Sequence, residues 1–224
     1  VFDLVIFDCD GVLIDSEIIS ARMLIEELAQ LGVQIDLDYV SRHFLGRSYP
    51  TVMAQIRREF GLDLPSAFEA QYRERLLDAF QRELHVMPGV TEVLDTLAVP
   101  FCVATSSSPR RAAMSLTLTG LRNRVGDRLF TASQVERGKP APDLFLFAAA
   151  SMGCDPARTL VIEDSRTGLR AGLAAGMQVW HFTGGSHFST GPAAFDDPDD
   201  ARPHRRFDAF ADFFQTAPAL RRSE

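Results

Sequence analysis

Lysine is nearly missing from this chain: of 23 basic side chains in 224 residues, Lys139 alone is lysine and the other 22 are arginine. Basic charge of either kind is also in deficit, because 30 acidic residues leave a net charge of −7. An acidic chain without a basic run has no long-range pull on phosphate backbones or anionic lipid, which sets aside nucleic-acid and membrane-surface binding. Cysteine is scarce. Cys9, Cys102 and Cys154 are odd in number and show no C-x-x-C spacing, which suits a reducing compartment better than a disulfide framework. No apolar run approaches the roughly 18 residues of a spanning helix. Val1-Phe2-Asp3-Leu4 lacks the basic and apolar parts of an export signal, so the expected location is cytoplasmic. His43, His85, His181, His187 and His204 show no zinc-like spacing and are read as surface or core residues without a metal role.

What remains is globular in composition, 46% hydrophobic and 24% charged, and the length suits one large unit with an insertion. Leu4-Val5-Ile6-Phe7 is a short apolar run cut off by Asp8-Cys9-Asp10-Gly11, the pattern of a buried parallel strand that ends in a functional loop. Similar runs recur at Phe101-Cys102-Val103-Ala104, Thr159-Leu160-Val161-Ile162 and Val179-Trp180-His181-Phe182, with a weaker one near Leu129-Phe130. Helical patterns lie between them, and the alternation predicts an α/β doubly wound, Rossmann-like parallel sheet. From Ser16 to Val86 the period changes. Met23, Leu24, Leu28 and Leu31, then Val52, Met53, Ile56 and Phe60, then Phe68, Tyr72, Leu76, Leu77 and Phe80 recur at helical spacing. Residues 16–86 are therefore expected to form an inserted helical domain, broken at Gly32, Gly46, Gly61 and Pro65, and residues 1–15 with 87–224 the core. Near the end, Gly184-Gly185-Ser186 through Asp200 reads as a solvated loop, Phe207 to Phe214 as an edge strand or short helix, and Arg221-Arg222 as a frayed end.

The chemistry-bearing residues cluster at strand ends. Asp8 and Asp10, two apart, face one crevice while Cys9 points away as a packing residue. Glu163-Asp164 follows another buried strand, so two strands bring carboxylates to one sheet edge. Such carboxylates repel unless a cation lies among them, and an oxygen-only ligand set suits Mg²⁺. Lys139 sits in Gly138-Lys139-Pro140-Ala141-Pro142, where a compact point charge reaches phosphate and carboxylate without an arginine fork's planar demand. Thr105-Ser106-Ser107-Ser108-Pro109 follows the second strand and opens a helix, which makes it an anion-binding turn or an ordinary helix cap.

In this order the four segments resemble the motifs of the haloacid dehalogenase superfamily, over nearly the whole chain. Asp15-Ser16-Glu17, Pro88-Gly89 and Gly184-Gly185-Ser186 resemble its branch of β-phosphoglucomutases and sugar-phosphate phosphatases. The resemblance implies a phosphatase acting on a small phosphorylated metabolite through an aspartyl phosphate. In it Asp8 is nucleophile and Asp10 acid and then base, while Ser106, the amide of Ser107 and Lys139 bind the phosphoryl group. Mg²⁺ would be held by Asp8, the Asp10 carbonyl and Asp164, with Glu163 as water-bridged ligand or supporting partner. The helical insertion resembles the family's cap, with Gly46-Arg47-Ser48 as its contact point. Arg47 is read as a ligand for a second anion or sugar hydroxyls, or as an exposed helix-end arginine; Arg73 and Arg75 are further candidates. Halide release is disfavoured by Asp10. A phosphosugar mutase is the rival within the class, but Ser20 stands near the place of a mutase cap histidine and Arg47-Ser48-Tyr49 departs from the mutase loop. A non-catalytic metabolite-binding module would be favoured by loss of Asp10 or Lys139, and both are present. Oligomeric state is not legible from the sequence.

Overall fold

The computed structural model describes residues 2–62, 64, 67–188 and 201–222. Among them six strands, β1 (Leu4–Phe7), β2 (Phe101–Thr105), β3 (Leu129–Thr131), β4 (Thr159–Glu163), β5 (Gln178–Phe182) and β6 (Arg205–Phe207), form one sheet in the order β3-β2-β1-β4-β5-β6. Every pairing is parallel. This doubly wound order places the switch point at β1 and β4, where Val5 pairs with Leu160 and Phe7 with Ile162.

Two-sided burial explains why the strands read as unbroken apolar runs. Side chains alternate across the sheet, so Val5, Phe7, Phe101, Val103, Leu160 and Ile162 enter one core and Leu4, Ile6, Cys102, Ala104 and Val161 the other. Ten helices accompany the strands among the described residues. Four lie between Glu17 and Glu83: α1 (Glu17–Gln30), α2 (Leu37–His43), α3 (Tyr49–Phe60) and α4 (Phe68–Glu83). They are followed by α5 (Val90–Thr96), α6 (Pro109–Leu118), α7 (Arg122–Val125), α8 (Asp143–Ser151), α9 (Arg166–Ala174) and α10 (Phe213–Thr216). Helices α5, α6, α7 and α10 cover the first face, through Val93, Leu116, Val125 and Phe213 among others, and α8 and α9 the second.

Helices α1 to α4 share a third core, whose buried members run from Ile19 to Phe80. The chain leaves and re-enters the sheet through paired segments: Ile14 bridges Val86, and Met87 N–H donates to the Leu13 carbonyl at 3.0 Å. Helix α2 has no counterpart in the sequence reading. It has seven residues and buries one of them, Val40, so no stripe announces it; the Asp36 side chain caps it by accepting from Tyr39 N–H. Gly32, Gly46 and Gly61 do break the helices in the left-handed region, whereas Pro65 lies outside the described residues.

At the far end one expectation is met and two need correction. Phe207 to Phe214 holds both the end of β6 and the start of α10. Arg221-Arg222 is no frayed end, because Arg221 bridges Leu97 and Arg222 N–H donates to the Thr96 carbonyl at 2.8 Å, anchored by buried Leu220. Gly184-Gly185-Ser186 is docked rather than solvated: Ser186 donates from N–H and Oγ to Asp15 Oδ1 at 3.2 and 2.9 Å. The rest of that predicted loop, 189–200, lies outside the described residues.

Candidate active site

Asp8 continues the ladder of β1, its N–H donating to the Ile162 carbonyl at 2.9 Å, and the next residue points the other way into the core. Cys9 is fully buried, and burial pushes its thiol far up, so it is inert packing. Asp10 returns to the side of Asp8, and both line one inner chamber. Gly11 then turns the chain in the left-handed region, where a Cβ would lie 2.1 Å from Asp164 Oδ2. No side chain fits there.

Lys139 is the hub. Its Nζ donates to Asp8 Oδ1 at 2.5 Å, Glu163 Oε1 at 2.6 Å and the Ala104 carbonyl at 2.9 Å, using all three protons of the ammonium. The side chain is 1% exposed. Burial pulls its pKa down, but Asp8 and Glu163 outweigh that and hold it well above the ordinary lysine value. Asp8 and Asp164 are pushed up, first by burial and then by the carboxylates crowded around them. Glu163 spends its second oxygen on Ser165, accepting from its N–H at 2.9 Å and its Oγ at 3.0 Å, while Ser165 caps α9 through Gly168 N–H. A Cβ on Gly168 would lie 1.8 Å from Glu163 Oε1. Gly168→Ala is therefore expected to destabilise the protein by about 1–3 kcal/mol, the cost of overpacking, although alanine is the better helix former by about 1 kcal/mol. Urea denaturation of the two proteins checks the sign; a more stable variant would mean that the Glu163 carboxylate gives way freely.

Asp10 is held by four donors. Its Oδ1 accepts from Ser16 Oγ at 2.7 Å and Arg111 Nη2 at 2.9 Å, its Oδ2 from Ser107 Oγ at 2.6 Å and Thr105 Oγ1 at 3.3 Å. Burial alone would raise its pKa, but the Arg111 charge and the bonds from Ser107, Ser16 and Arg111 prevail and hold it below the usual carboxylate range. Arg111 also donates to Ser20 Oγ on α1 at 3.1 Å and stacks 5.2 Å from the centre of the Phe80 ring on α4. Sequence reasoning missed Arg111. Its one signal was a basic residue in the first turn of the helix that the hydroxyl-rich segment opens.

The turn after β2 divides its hydroxyls. Ser108 caps α6 by accepting from Arg111 N–H, Ser107 binds Asp10, and Ser106 Oγ donates to the Gly46 carbonyl at 3.1 Å. The Ser107 N–H donates to Thr105 Oγ1 at 3.0 Å. Thr167 Oγ1 donates to the same Gly46 carbonyl at 3.0 Å, and a Cβ on Gly46 would lie 2.2 Å from Ser165 Oγ, so the helical segment touches the strand ends at Gly46. Arg47 beside it is exposed, donates to Gln55 Oε1 at 2.9 Å and lines the chamber. Arg75 instead pairs at 2.6 Å with the buried Glu27, a structural role that removes it from the candidates.

Two histidines read as ordinary lie against Asp164: His181 Nε2 is 3.1 Å from its carbonyl and His187 Nε2 3.1 Å from Oδ2. Burial lowers the pKa of both, His181 to about 4, and keeps them neutral at pH 7. Glu17, whose pKa burial and the nearby Asp10 and Asp164 raise to about 8, also lines the chamber.

Asp8, Glu163 and Asp164 each present an oxygen within 4.8 Å of the others. Asp164 Oδ2 is buried, lies 3.1 Å from His187 Nε2 and accepts no hydrogen bond among the described residues. Four buried carboxylates face two cations, Lys139 and Arg111, and the shortfall matches one divalent cation. The donor set is all oxygen and the orphaned atom is a carboxylate, so these residues fit a hard cation. The inner chamber, of about 80 Å³, shares Arg47, Ser106, Ser107 and Arg111 with an outer cavity of about 570 Å³.

A doubly wound sheet with clustered buried carboxylates at its switch point places them where folds of this class bind their ligands. The chain belongs to the haloacid dehalogenase-like hydrolases, whose family model matches residues 2–176. The 6-phosphogluconate phosphatase of Escherichia coli (strain K12) is 29% identical over 184 residues, covering 82% of this chain and 83% of the relative. Among solved structures, a conserved haloacid dehalogenase-like protein of unknown function from Agrobacterium tumefaciens str. C58 is 34% identical at a TM-score of 0.83, with 98% of this chain and 99% of that one covered. A family hydrolase from Deinococcus radiodurans R1, solved with bound phosphate and sodium, is 33% identical at a TM-score of 0.75, with 98% and 96% covered.

Proposed function

We propose that this hydrolase is a Mg²⁺-dependent phosphatase that cleaves a small phosphorylated metabolite, a sugar phosphate, through an aspartyl phosphate on Asp8. The observation that carries the reading is the Asp8–Lys139–Glu163 network at the switch point, with Asp10 facing the same chamber. The phosphatase relative of similar length supports the leaving group's class. Residues 16–86 are read as the cap domain that closes over the chamber and excludes water.

In the first half-reaction an Asp8 oxygen attacks phosphorus in line, the P–O bond to the sugar breaks, and the departing alkoxide takes a proton from Asp10. In the second, water attacks the same phosphorus, Asp10 takes its proton, and the P–O bond to Asp8 breaks to release phosphate. Asp10 rests as an anion, held so by Arg111 and Ser107. A phosphoryl dianion arriving beside it raises its proton affinity, so Asp10 takes up from water the proton it then gives to the alkoxide, and this is how one carboxyl serves both half-reactions. Lys139 offsets the charge on Asp8 and the transferring group, while Ser106 and the Ser107 N–H exchange their internal bonds for phosphoryl oxygens. Asp8, the Asp10 carbonyl and Asp164 would hold Mg²⁺, with Glu163 supporting it, and the ion would supply charge neutralisation between an anionic nucleophile and an anionic phosphoryl group.

Phosphate release from a panel of sugar phosphates and a generic aryl phosphate, with Mg²⁺ and with EDTA, tests this. Turnover that EDTA leaves intact would refute the metal's part. A hexose 1-phosphate converted to its 6-phosphate without free phosphate would instead establish the mutase.

Arg111→Met provides a check on Asp10. Without the guanidinium the depressed pKa rises, so Asp10 binds its proton at a higher pH. The alkaline limb of the kcat/KM profile, which reports a group the first half-reaction needs protonated, should move to higher pH, with a larger activity loss at pH 5 than at pH 8. An unmoved limb would show that Asp10 does not set it.

A further inference from the structure

The mouth of the cavity reverses the sign of the protein. Arg47, Arg73, Arg110 and Arg111 line the outer cavity and, among the described residues, no acidic one does, in a chain where acids outnumber bases 30 to 23. Arg111 is committed to Asp10. The other three keep most of their charge for a ligand. Arg47 donates to the neutral Gln55. Arg73 stacks 4.9 Å from the centre of the Tyr49 ring, and its one acidic neighbour, Glu69 at 3.8 Å, is held more closely by Arg57 at 3.0 Å. Arg110 enters no ion pair among the described residues.

Their placement matters as much as their number. Arg47 and Arg73 come from the helical insertion, Arg110 from α6 of the core, so the cations stand on both sides of one opening. The reacting phosphoryl group needs only the small inner chamber beside Asp8 and Asp10; the outer cavity, within the usual range for small-molecule sites, takes the rest of the substrate. Exposed single ion pairs are weak, but guanidinium groups converging in a cleft focus the field on an anion and offer forked donors to its oxygens.

We propose that this arginine rim is a subsite for a second anionic group. The preferred substrate is then a phosphate monoester with a carboxylate or second phosphate at its far end. This rests on the phosphatase reading above.

The test compares kcat/KM at low salt for a hexose 6-phosphate, the matching aldonic acid 6-phosphate and a ketohexose 1,6-bisphosphate, with an aryl phosphate as reference. The doubly anionic esters should exceed the hexose 6-phosphate by tenfold or more, chiefly through KM, and the gap should narrow as salt rises. The better of the two identifies the second anion. In Arg73→Met and Arg110→Met the ratio of doubly to singly anionic substrate should fall several-fold, and in the double variant approach one. Both side chains are exposed, so the variants fold. Hydrolysis with a ratio near one in the parent would overturn the subsite, as would a tenfold ratio that survives the double variant. If no phosphate ester is hydrolysed, the phosphatase reading itself fails and the subsite with it.

Discussion

Replacing Asp8 with Asn is expected to reduce turnover by about 10⁴-fold or more while leaving the protein as stable as before, or more stable. The amide keeps the shape and an acceptor oxygen for Lys139, but it has no anionic oxygen to attack phosphorus. Stability is spared because Asp8 is a burdened carboxylate, raised by burial and by Glu163, Asp164 and Asp10, with only Lys139 opposing. Removing its charge leaves Lys139 with Glu163 at 2.6 Å and relieves repulsion at the orphaned oxygen of Asp164. Phosphate release and thermal melting on the same preparations separate the two effects. Turnover within tenfold of the parent would remove Asp8 from the role of nucleophile. The melts carry a second readout, independent of activity. Mg²⁺ should raise the parent's melting temperature and raise the variant's less, because a ligand stabilises in proportion to its binding to the folded state.

Lys139→Met is expected to damage both activity and fold. The side chain is buried, and its ammonium is the shared partner of two buried carboxylates. Breaking such a cluster by removing one partner costs about 3–5 kcal/mol, since the charges left behind have neither water nor a counterion. Turnover should fall by about 10²–10³-fold through lost stabilisation of the transferring group. The sign of the pH dependence is fixed by the same electrostatics. Without the ammonium, Asp8 has lost the charge that lowers its pKa against burial and the neighbouring carboxylates, so in the folded state it holds its proton to a higher pH than in the unfolded chain. Folded protein then binds more protons than unfolded protein, and the variant grows less stable as pH rises through that range. Urea midpoints at pH 6 and pH 9 measure this; a variant equally stable at both would sink the account. Lys139→Arg should not rescue, because a planar fork cannot replace three short bonds that converge on one nitrogen in a buried site.

How much of this was legible beforehand depends on what kind of signal each part leaves. Strands β1, β2, β4 and β5 announced themselves because burial on both faces demands unbroken apolar runs. Helices α1, α3 and α4 did so by their spacing, whereas α2 buries a single residue and leaves no stripe. Asp8, Asp10, Lys139 and Glu163-Asp164 stood out because carboxylates at strand ends and a solitary lysine are costly choices without a purpose. Arg111, His181 and His187 did not, for one arginine among 22 and two histidines among five carry no mark in one dimension.

The chain by itself determined the sheet, the helical insertion and the residue types at the strand ends, because burial and backbone periodicity are written locally, residue by residue. Only the tertiary structure decided which charges meet. That Lys139 binds Asp8 and Glu163 at once, that Arg111 reaches from α6 to Asp10, and that Asp164 keeps an oxygen without a donor among the described residues are relations between residues far apart in sequence. Electrostatic energy depends on distance and burial, and those exist only once the strands have brought their ends together.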